Sequence, residues 1–292
     1  MNRRMRINLV LLAAAVLLAA LAYFEPGRSP APQPRKLTAV SADTVDRIDI
    51  ERRGNDTISL RKRGEAWWIE SPFGVALSAN ALRVKSLLEI SDTVSQSSFP
   101  AGGKDLKPFG LSEPEIILRL PGASFAFGNT DALNGWRYVL SENTVHLIAD
   151  TLYWFLSADS ATFVGRQLLP EHATLTALQL PQLRLEQVAG RWSVEPPMPN
   201  VSADAIQALL ESWRRAQALV VEKAEPHSTG ETIRVTLKEA DAPLEFVLIE
   251  TEPDVVLVRP DVGLRYRLPG SASGDLLSLR QPDAEPGADP GQ

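Results

Sequence analysis

The sequence contains no cysteine, which excludes disulfides, thiolate metal ligands, cysteine nucleophiles and lipid-modified cysteine anchors. Its three histidines, His146, His172 and His227, lie far apart and show no HExxH or HxH spacing, so a histidine-built metal site is not expected. The nucleophile elbow GxSxG, the phosphate loop GxxxxGK[ST] and the dinucleotide motif GxGxxG are also missing. These absences predict a protein that is not an enzyme and that needs no cofactor or metal.

Positive charge is scarce as well. The chain carries 30 lysines and arginines against 36 aspartates and glutamates, a formal net charge of −6. Arg3, Arg4 and Arg6 account for three of the 30, so residues 7–292 hold 27 basic and 36 acidic side chains, a net charge of −9. Nucleic-acid binding requires a basic surface that displaces counterions, and the acidic body therefore argues against a nucleic-acid partner.

One long apolar run stands near the N-terminus. Residues 7–24 contain no charged side chain, and as a helix they would extend roughly 27 Å, close to the apolar thickness of a bilayer. The preceding arginines predict a cytoplasmic N-terminus, an uncleaved anchor over residues 1–24 and a body on the far side of the membrane. A cleavable signal peptide is the competing interpretation, because residues 20–22 fit a small-x-small cleavage site, although the run exceeds the usual length of about 7–15 residues.

Composition shifts divide the rest of the chain. Four prolines within residues 25–38 exclude a helix or an interior strand there and favour an extended stalk. Residues 281–292 contain no large apolar side chain and are expected to form a disordered tail. Between them we predict a first module over residues 39–167 and a second over residues 168–280, because one pattern occurs twice.

The repeated pattern begins at two tryptophan motifs. Residues 67–72 read WWIESP and residues 192–196 read WSVEP, which share Trp-x-Ile/Val-Glu at an offset of 125 residues. A Ser-Ala-x-Ala motif follows each of them, at Ser78 and at Ser202, with an offset of 124 residues. Alternating apolar residues before each motif and paired apolar runs after it complete a strand–strand–helix–strands order in both copies.

Helices are expected over residues 79–90 and 203–217. Ser78 and Ser202 are the predicted N-caps, because a serine oxygen accepts hydrogen bonds from the free N–H groups of the first helical turn. The apolar run of the first helix contains these residues: Leu82, Leu87 and Leu88.

Two hairpins, over residues 136–148 and 255–268, align without a gap at an offset of 119 residues. The predicted fold class is therefore α+β, with two tandem modules after an N-terminal transmembrane helix, each a mostly antiparallel sheet packed by one or two helices. Strand alternation predicts two cores. They comprise Ile48, Ile50, Leu118, Leu120, Val139 and Leu147 in the first, and Leu183, Leu185, Val235, Leu237, Val256 and Val258 in the second.

Short motifs in residues 60–165 belong together. They are Trp67-x-Ile69, Phe109-Gly110-Leu111-Ser112-Glu113-Pro114, Phe127-Gly128, Arg137-Tyr138-Val139 and Val145-x-Leu147. Together they resemble the family called domain of unknown function 4340, although Phe109 replaces the usual tyrosine and the second module lacks the Gly-Leu-x-x-Pro element. The resemblance implies a bacterial envelope protein, anchored in the inner membrane with a periplasmic body. Because some relatives are encoded beside transporter components, it also implies an accessory role with partners in an envelope or ABC-transporter-type complex.

Basic and aromatic side chains concentrate on the two hairpins. The possible partner-binding residues are Trp136, Arg137, Tyr138, Arg259, Arg265 and Arg267. The alternative is a solvated strand face with ordinary cross-strand pairs. We interpret residues 109–114 as a turn rather than a recognition loop. Trp67 and Trp68 are adjacent and face opposite sides of a strand, so one should be a core residue and the other partly exposed or covered by a helix. For these two, and likewise for Trp136 and Trp154, core packing is favoured over a ligand platform.

These patterns predict a non-enzymatic, membrane-anchored accessory or scaffold protein that docks an envelope or transporter complex. A binding module for an envelope glycan, lipid or peptide is the alternative, and it requires a concave apolar pocket between the modules. An envelope hydrolase would need two carboxylates that converge in a groove, and the repeat explains the matching positions of Glu70 and Glu195 more simply.

Overall fold

The computed structural model describes residues 3–24, 35–199, 201–226 and 228–279, with the backbone alone at residues 4–6, 10 and 21–24. Most of the predicted stalk, the predicted tail and His227 lie outside these residues. Helix α1 spans Arg3–Phe24, where the apolar run predicts a helix. Within the described residues, no helix is long and apolar enough to cross a membrane. The anchor therefore stays a prediction.

Strands dominate the described chain. The helices are α1, α2 (Ala81–Leu88), α3 (Thr151–Ser157), α4 (Ala203–Arg215) and α5 (Ala272–Leu276). The strands of the first half are β1 (Arg35–Lys36), β2 (Arg47–Arg52), β3 (Ile58–Arg63), β4 (Ala66–Ser71), β5 (Leu77–Ser78), β6 (Val94–Ser95), β7 (Ser97–Pro100), β8 (Ile116–Leu120), β9 (Ala123–Thr130), β10 (Arg137–Ser141) and β11 (Thr144–Ile148). Those of the second half are β12 (Leu175–Gln179), β13 (Arg184–Val188), β14 (Arg191–Glu195), β15 (Val220–Lys223), β16 (Glu231–Leu237), β17 (Leu244–Glu250), β18 (Asp254–Arg259) and β19 (Leu264–Pro269).

The two large sheets have the same strand order. The first reads β5-β4-β3-β2-β8-β9-β10-β11-β7, and the second reads β14-β13-β12-β16-β17-β18-β19-β15. Apart from the short β5, each strand of one sheet has a counterpart at the same place in the other. Neighbouring strands pair antiparallel, so the fold is α+β with mostly antiparallel sheets, as predicted.

The end of the predicted stalk belongs to the fold. Strand β1 pairs antiparallel with β6, and Leu37 is buried in the core directly after it. The proline-free residues 35–38 can form such a ladder because each retains a backbone N–H donor.

The helices begin at different kinds of cap. Helix α4 confirms Ser202 as N-cap, since its Oγ accepts a hydrogen bond from the N–H of Ala205 at 3.1 Å. The prediction for the first helix is wrong by two residues: Asn80 caps α2, and its Oδ1 accepts from the N–H groups of Leu82 and Arg83 at 3.1 and 3.3 Å. Ser78 pairs with β4 as the last residue of β5 and cannot start a helix there.

The ungapped hairpin alignment is wrong about the strand faces. A two-residue turn at 142–143 joins β10 to β11, whereas four residues, 260–263, join β18 to β19. Val139 and Leu257 both belong to the main core, but Val258, which the alignment matches with Val139, lies on the opposite face. Side chains alternate along a strand, so a shift of one residue moves each of them to the other face.

One continuous cluster of buried apolar side chains joins the two modules, in place of the two cores that the sequence predicts. Full burial of each large aliphatic side chain contributes roughly 1.5–3 kcal/mol. Leu147 is only partly buried, because His146 and Ile148 face the core instead. Val256 and Val258 are buried on the outer face, and the other predicted core residues lie in the cluster: Ile48, Ile50, Leu118, Leu120, Val139, Leu183, Leu185, Val235 and Leu237.

A second, smaller cluster covers the outer face of the first sheet. Residues 101–111, which we call the cover loop, fold back over β7, β10 and β11. The ring of Phe109 lies between those of Phe99 and Tyr138, with centroid distances of 5.4 and 4.9 Å. Leu111 packs in the same cluster, so the Phe-Gly-Leu motif seals this face.

Two glycines let the cover loop approach the sheet. Gly110 has φ +70°, and it ends the short 3₁₀ turn Lys107–Phe109, which confirms that this motif forms a turn. A Cβ at Gly128 would lie 2.2 Å from the carbonyl oxygen of Phe109 and 2.9 Å from Leu111 Cδ2. The Phe109-Gly110-Leu111 and Phe127-Gly128 motifs therefore contact each other.

Candidate functional site

The six predicted partner-binding residues lie on two different sheets. Arg137 and Tyr138 start β10 of the first sheet, with Trp136 just before them, and Arg259, Arg265 and Arg267 lie on β18 and β19 of the second.

Arg137 is engaged inside the first module. Its guanidinium donates to both carboxylate oxygens of Asp150 and to the carbonyl oxygen of Gly128, the latter at 2.5 Å, and lies 3.6 Å from the ring centre of Tyr153. Tyr138 packs under the cover loop. These contacts account for both side chains without a partner.

The arginines of the second hairpin differ in their surroundings. Arg259 is buried and pairs with Asp261, with Nη2 2.6 Å from Oδ2. Arg267 lies 3.6 Å from Glu222 and 3.9 Å from Asp254. The buried Nε of Arg265 has no hydrogen-bond partner among the described residues. Partner binding by these residues stays a prediction.

The tryptophans also differ from one another. Trp67 packs against the core, whereas Trp68 is partly buried and lies 5.7 Å from the guanidinium of Arg63. Trp136 is partly buried. The prediction that Trp154 is a core residue is wrong, because Leu152 and Leu156 form the buried face of α3 and leave Trp154 76% exposed.

The structure brings a different set of residues together, at the junction of the modules. A cleft of about 330 Å³ lies between α2, α3 and the 3₁₀ turn Ser160–Phe163 on one side and β15 on the other. Its apolar lining residues are Leu82, Phe155, Val164, Leu219, Val220 and Val221. The polar lining residues are Asn80, Arg83, Ser86, Thr162 and Arg166.

Contacts at the junction of the modules hold the two walls in place. The N–H of Ala218 donates to the carbonyl of Arg166 at 2.8 Å, and the N–H of Leu168 donates to the carbonyl of Ala216 at 3.2 Å. Lys223, at the end of β15, lies 3.4 Å from the carboxylate of Asp159. The chain that enters β15 is therefore fixed against the linker that leaves the first module.

Arg83 is the most informative side chain of the cleft. Val84 and Leu87 form the buried face of α2, whereas Arg83 is partly buried beside that face, and its guanidinium lies 5.0 and 5.9 Å from the ring centres of Phe155 and Phe163. Partial burial lowers its pKa. Among the described residues its guanidinium has neither an ion pair nor a hydrogen bond.

Other partly buried arginines of the first module do have such partners. Arg52 donates to the carbonyl of Ala158 at 2.7 Å, Arg61 lies 3.2 Å from the carboxylate of Asp49, and Arg137 pairs with Asp150. A hydrogen-bond acceptor stabilises a partly desolvated cation. Unlike these arginines, Arg83 has its donors available for an acceptor that a binding partner supplies.

The rim of the cleft is apolar and exposed. Leu82 is 69% exposed and Leu219 is 55% exposed, on opposite walls. Arg166, the second cation of the lining, is exposed, and its guanidinium has no partner among the described residues. The lining contains no aspartate or glutamate, so the cleft is a positive site on an acidic protein.

A second hollow at the junction has a different chemistry. It measures about 270 Å³, and its charged lining residues, Asp56, Lys223 and Asp261, have mixed signs. It therefore offers no comparable preference for one charge.

Sequence reasoning missed the cleft, although part of it has a sequence signal. Val84, Leu87 and Leu88 follow helical three- and four-residue steps, and Leu82 lies off that stripe. This spacing could have marked Leu82 as exposed. The meeting of α2 with β15 has no sequence signal, because it depends on how two distant segments pack.

Glu70 and Glu195 lie on different sheets, and the described part of the chain holds no metal cluster. Glu70 lies on β4 of the first sheet and pairs with Arg63 at 2.7 Å, whereas Glu195 lies on β14 of the second sheet. Within residues 3–24, 35–199, 201–226 and 228–279, no group of three or more His, Asp or Glu side chains could hold a metal ion.

Fold and cleft together define an α+β protein with mostly antiparallel sheets and a cationic, apolar cleft between the helices of its first module and strand β15 of its second. No protein-family model, no curated protein and no solved structure matches the chain. The resemblance to the domain of unknown function 4340 family stays a prediction.

Proposed function

We propose that the protein is a non-enzymatic docking scaffold of the bacterial cell envelope and that its cleft receives a segment of a protein partner. The cleft carries this proposal: its walls are apolar, its two arginines lack partners among the described residues, and exposed leucines stand on both sides of it. Exposed apolar surface rimmed by polar groups is typical of an interaction site.

The proposed architecture is a tandem duplication behind a single-pass inner-membrane anchor. The equal strand orders of the two sheets support the duplication. The N-terminal arginines and the uncharged residues 7–24 support the anchor and a periplasmic body. An envelope or ABC-transporter-type complex is the proposed partner.

The cleft also supports a second candidate, a binding module for an envelope glycan, lipid or free peptide. Its volume of about 330 Å³ lies at the lower end of the range for small-molecule sites, about 300–1,000 Å³. A hydrolase is supported less well, because the cleft lining contains no carboxylate.

Site-specific photocrosslinking tests the docking proposal in intact cells. A benzophenone amino acid at Leu82 or at Leu219 would lie on opposite walls of the cleft. Leu133, which is 91% exposed, and Val188, at the end of β13, are matched controls that do not line it. We expect both cleft positions to crosslink to the same protein, identified by mass spectrometry, and both controls to give none of that product.

Four results would contradict or redirect the proposal. Equal crosslinking from the control positions, or no crosslink from either cleft position, contradicts docking in the cleft. A crosslinked lipid or glycan in place of a protein favours the second candidate. Isolation of the full chain from membranes as a lone monomer in mild detergent would count against a scaffold.

A further inference from the structure

We infer that the partner segment which enters the cleft is an acidic peptide, with a carboxylate that binds Arg83 and a large apolar side chain beside it. This inference rests on the proposed docking function and names the chemistry of the partner.

The first argument is charge complementarity. Arg83 and Arg166 both line the cleft, no acidic side chain does, and the body of the protein is acidic overall. Neither guanidinium has an ion pair within the described residues. Acidic side chains elsewhere in the protein would repel an anionic ligand, so the cleft is where such a ligand gains most.

The second argument is the orientation of Arg83. The faces of the Phe155 and Phe163 rings, with centres 5.0 and 5.9 Å from its guanidinium, attract the cation and favour this orientation, while its N–H groups have no acceptor among the described residues. A planar guanidinium presents its donors in a fork that fits the two oxygens of a carboxylate. Because the side chain is already held, less conformational entropy is lost when the carboxylate binds.

The third argument is the apolar surface beside the cations. Leu82 and Leu219 are exposed on the rim, and Val164 and Phe155 lie deeper in the lining. A leucine or phenylalanine of the partner would bury this surface together with its own. An apolar side chain next to an acidic one satisfies both parts of the cleft.

An anionic membrane surface fits the cleft less well than a peptide. Recognition of anionic lipids typically uses clusters of about four to eight lysines and arginines. The cleft has two arginines, and residues 7–292 carry a net charge of −9, which an anionic bilayer repels. The observations therefore favour a peptide.

Peptide selection tests this inference without knowledge of the natural partner. A library of random dodecapeptides on phage is selected against the full chain, immobilised in detergent, and enriched peptides are measured by fluorescence anisotropy. We expect enriched peptides to carry Asp or Glu beside Leu or Phe. Replacing that acid by its amide should weaken binding roughly tenfold, the effect of losing one charge-assisted pair.

Two arginine variants complete the test. Arg83→Gln should lower the affinity for the acidic peptide roughly tenfold, so that the variant binds this peptide as weakly as the wild type binds its amide version. Arg191→Gln, on the opposite edge of the second sheet from β15, removes the same charge and should change nothing. Thermal unfolding of both variants verifies that they fold.

Several outcomes would overturn the inference. They are enrichment without acidic residues, no enrichment, equal binding by Arg83→Gln, and Arg83-dependent binding to phosphatidylglycerol vesicles in place of peptides. The proposed function fails separately. If the Leu82 and Leu219 crosslinks persist undiminished in Arg83→Gln, docking stands and the carboxylate inference is wrong; if the wild type shows no such crosslinks, docking itself is wrong.

Discussion

The outer faces of the two large sheets differ although their strand orders agree. In the first sheet, Tyr138 and Val145 lie under the cover loop, and Phe109 packs on them. In the second, the strands at the same places carry Val256 and Val258 with Arg265 and Arg267 beside them. Only seven residues, 224–230, connect β15 to β16, against fifteen between β7 and β8, so this connection is too short to form a cover like that of the first module.

This difference shows that sheets with the same strand order can shield their apolar outer faces from water in two ways. An aromatic loop excludes water from the first face, whereas on the second face the aliphatic stems of the arginines lie next to the valines and keep the charges at the surface. The cover loop of the first sheet requires close packing and glycine at the point of contact. The outer face of the second sheet requires only long side chains. Substitutions should therefore cost much more on the first face.

Gly128→Ala should have the largest effect. The new Cβ would lie 2.2 Å from the carbonyl oxygen of Phe109, so the cover loop must lift from the sheet. We expect the free energy of unfolding to fall by about 3 kcal/mol, measured by chemical denaturation. Gly102→Ala, in the same loop, meets its nearest neighbour at 3.7 Å and should change stability by less than about 0.5 kcal/mol. If the two substitutions lower the free energy of unfolding equally, the cover loop does not approach Gly128 as closely as described.

Phe109→Ala should have the next largest effect. It removes a partly buried ring that contacts Phe99 and Tyr138, and we expect a loss of about 2 kcal/mol in the free energy of unfolding. Phe109→Tyr, the residue usual in the resembling family, keeps the ring and should retain most of the stability. A loss below about 0.5 kcal/mol for Phe109→Ala would mean that the loop does not seal the face.

The sequence predicts the two hairpins and the strands of the tryptophan motifs, because their signals are local. Alternation places Ile233, Val235 and Leu237 in the core, and Ser202 caps α4 as expected. The register across the hairpins is harder, since turns of two and four residues give equally plausible alignments that place Val258 on opposite faces.

The candidate site could hardly be predicted from sequence. Its side chains come from segments more than 130 residues apart, such as Leu82 and Leu219, and each looks ordinary by itself. The sequence predicts the hairpin arginines as possible binding residues because basic groups concentrate on the two hairpins. Arg137 and Arg259 prove to have acidic partners within their own modules, Asp150 and Asp261, which a charge count cannot show.

His146 and Tyr266 occupy matching positions in the two hairpins, and the histidine extends the comparison of the two sheets to the pH dependence of stability. Both are buried on inner faces of their hairpins, opposite Val139 and Leu257. Burial, with a smaller contribution from Arg35, lowers the pKa of His146, and Glu142 acts weakly against this. The neutral form is therefore favoured by folding. Stability is fully present above about pH 6.5, the unfolded pKa, and is lost as pH falls below it.

Chemical denaturation at pH 7.5 and pH 5.5 checks this expectation. The wild type should lose stability on acidification, by at most about 1.4 kcal/mol per pH unit from this one group. His146→Phe should lose less between the same two pH values, whereas His172→Phe, at an exposed histidine, should behave as the wild type. If His146→Phe shows the same pH dependence of stability as the wild type, this dependence arises from other groups.

Arg267→Ala should have the smallest effect. Its guanidinium lies 3.6 Å from Glu222 and 3.9 Å from Asp254, and such partly exposed pairs contribute about 0–1 kcal/mol. The loss should come chiefly from Val256, which pairs with it across the strands and becomes accessible to water, so Arg267→Met should restore most of the stability. If Arg267→Ala loses as much free energy of unfolding as Phe109→Ala, the charged pairs of Arg267, and not its aliphatic stem, stabilise the outer face of the second sheet.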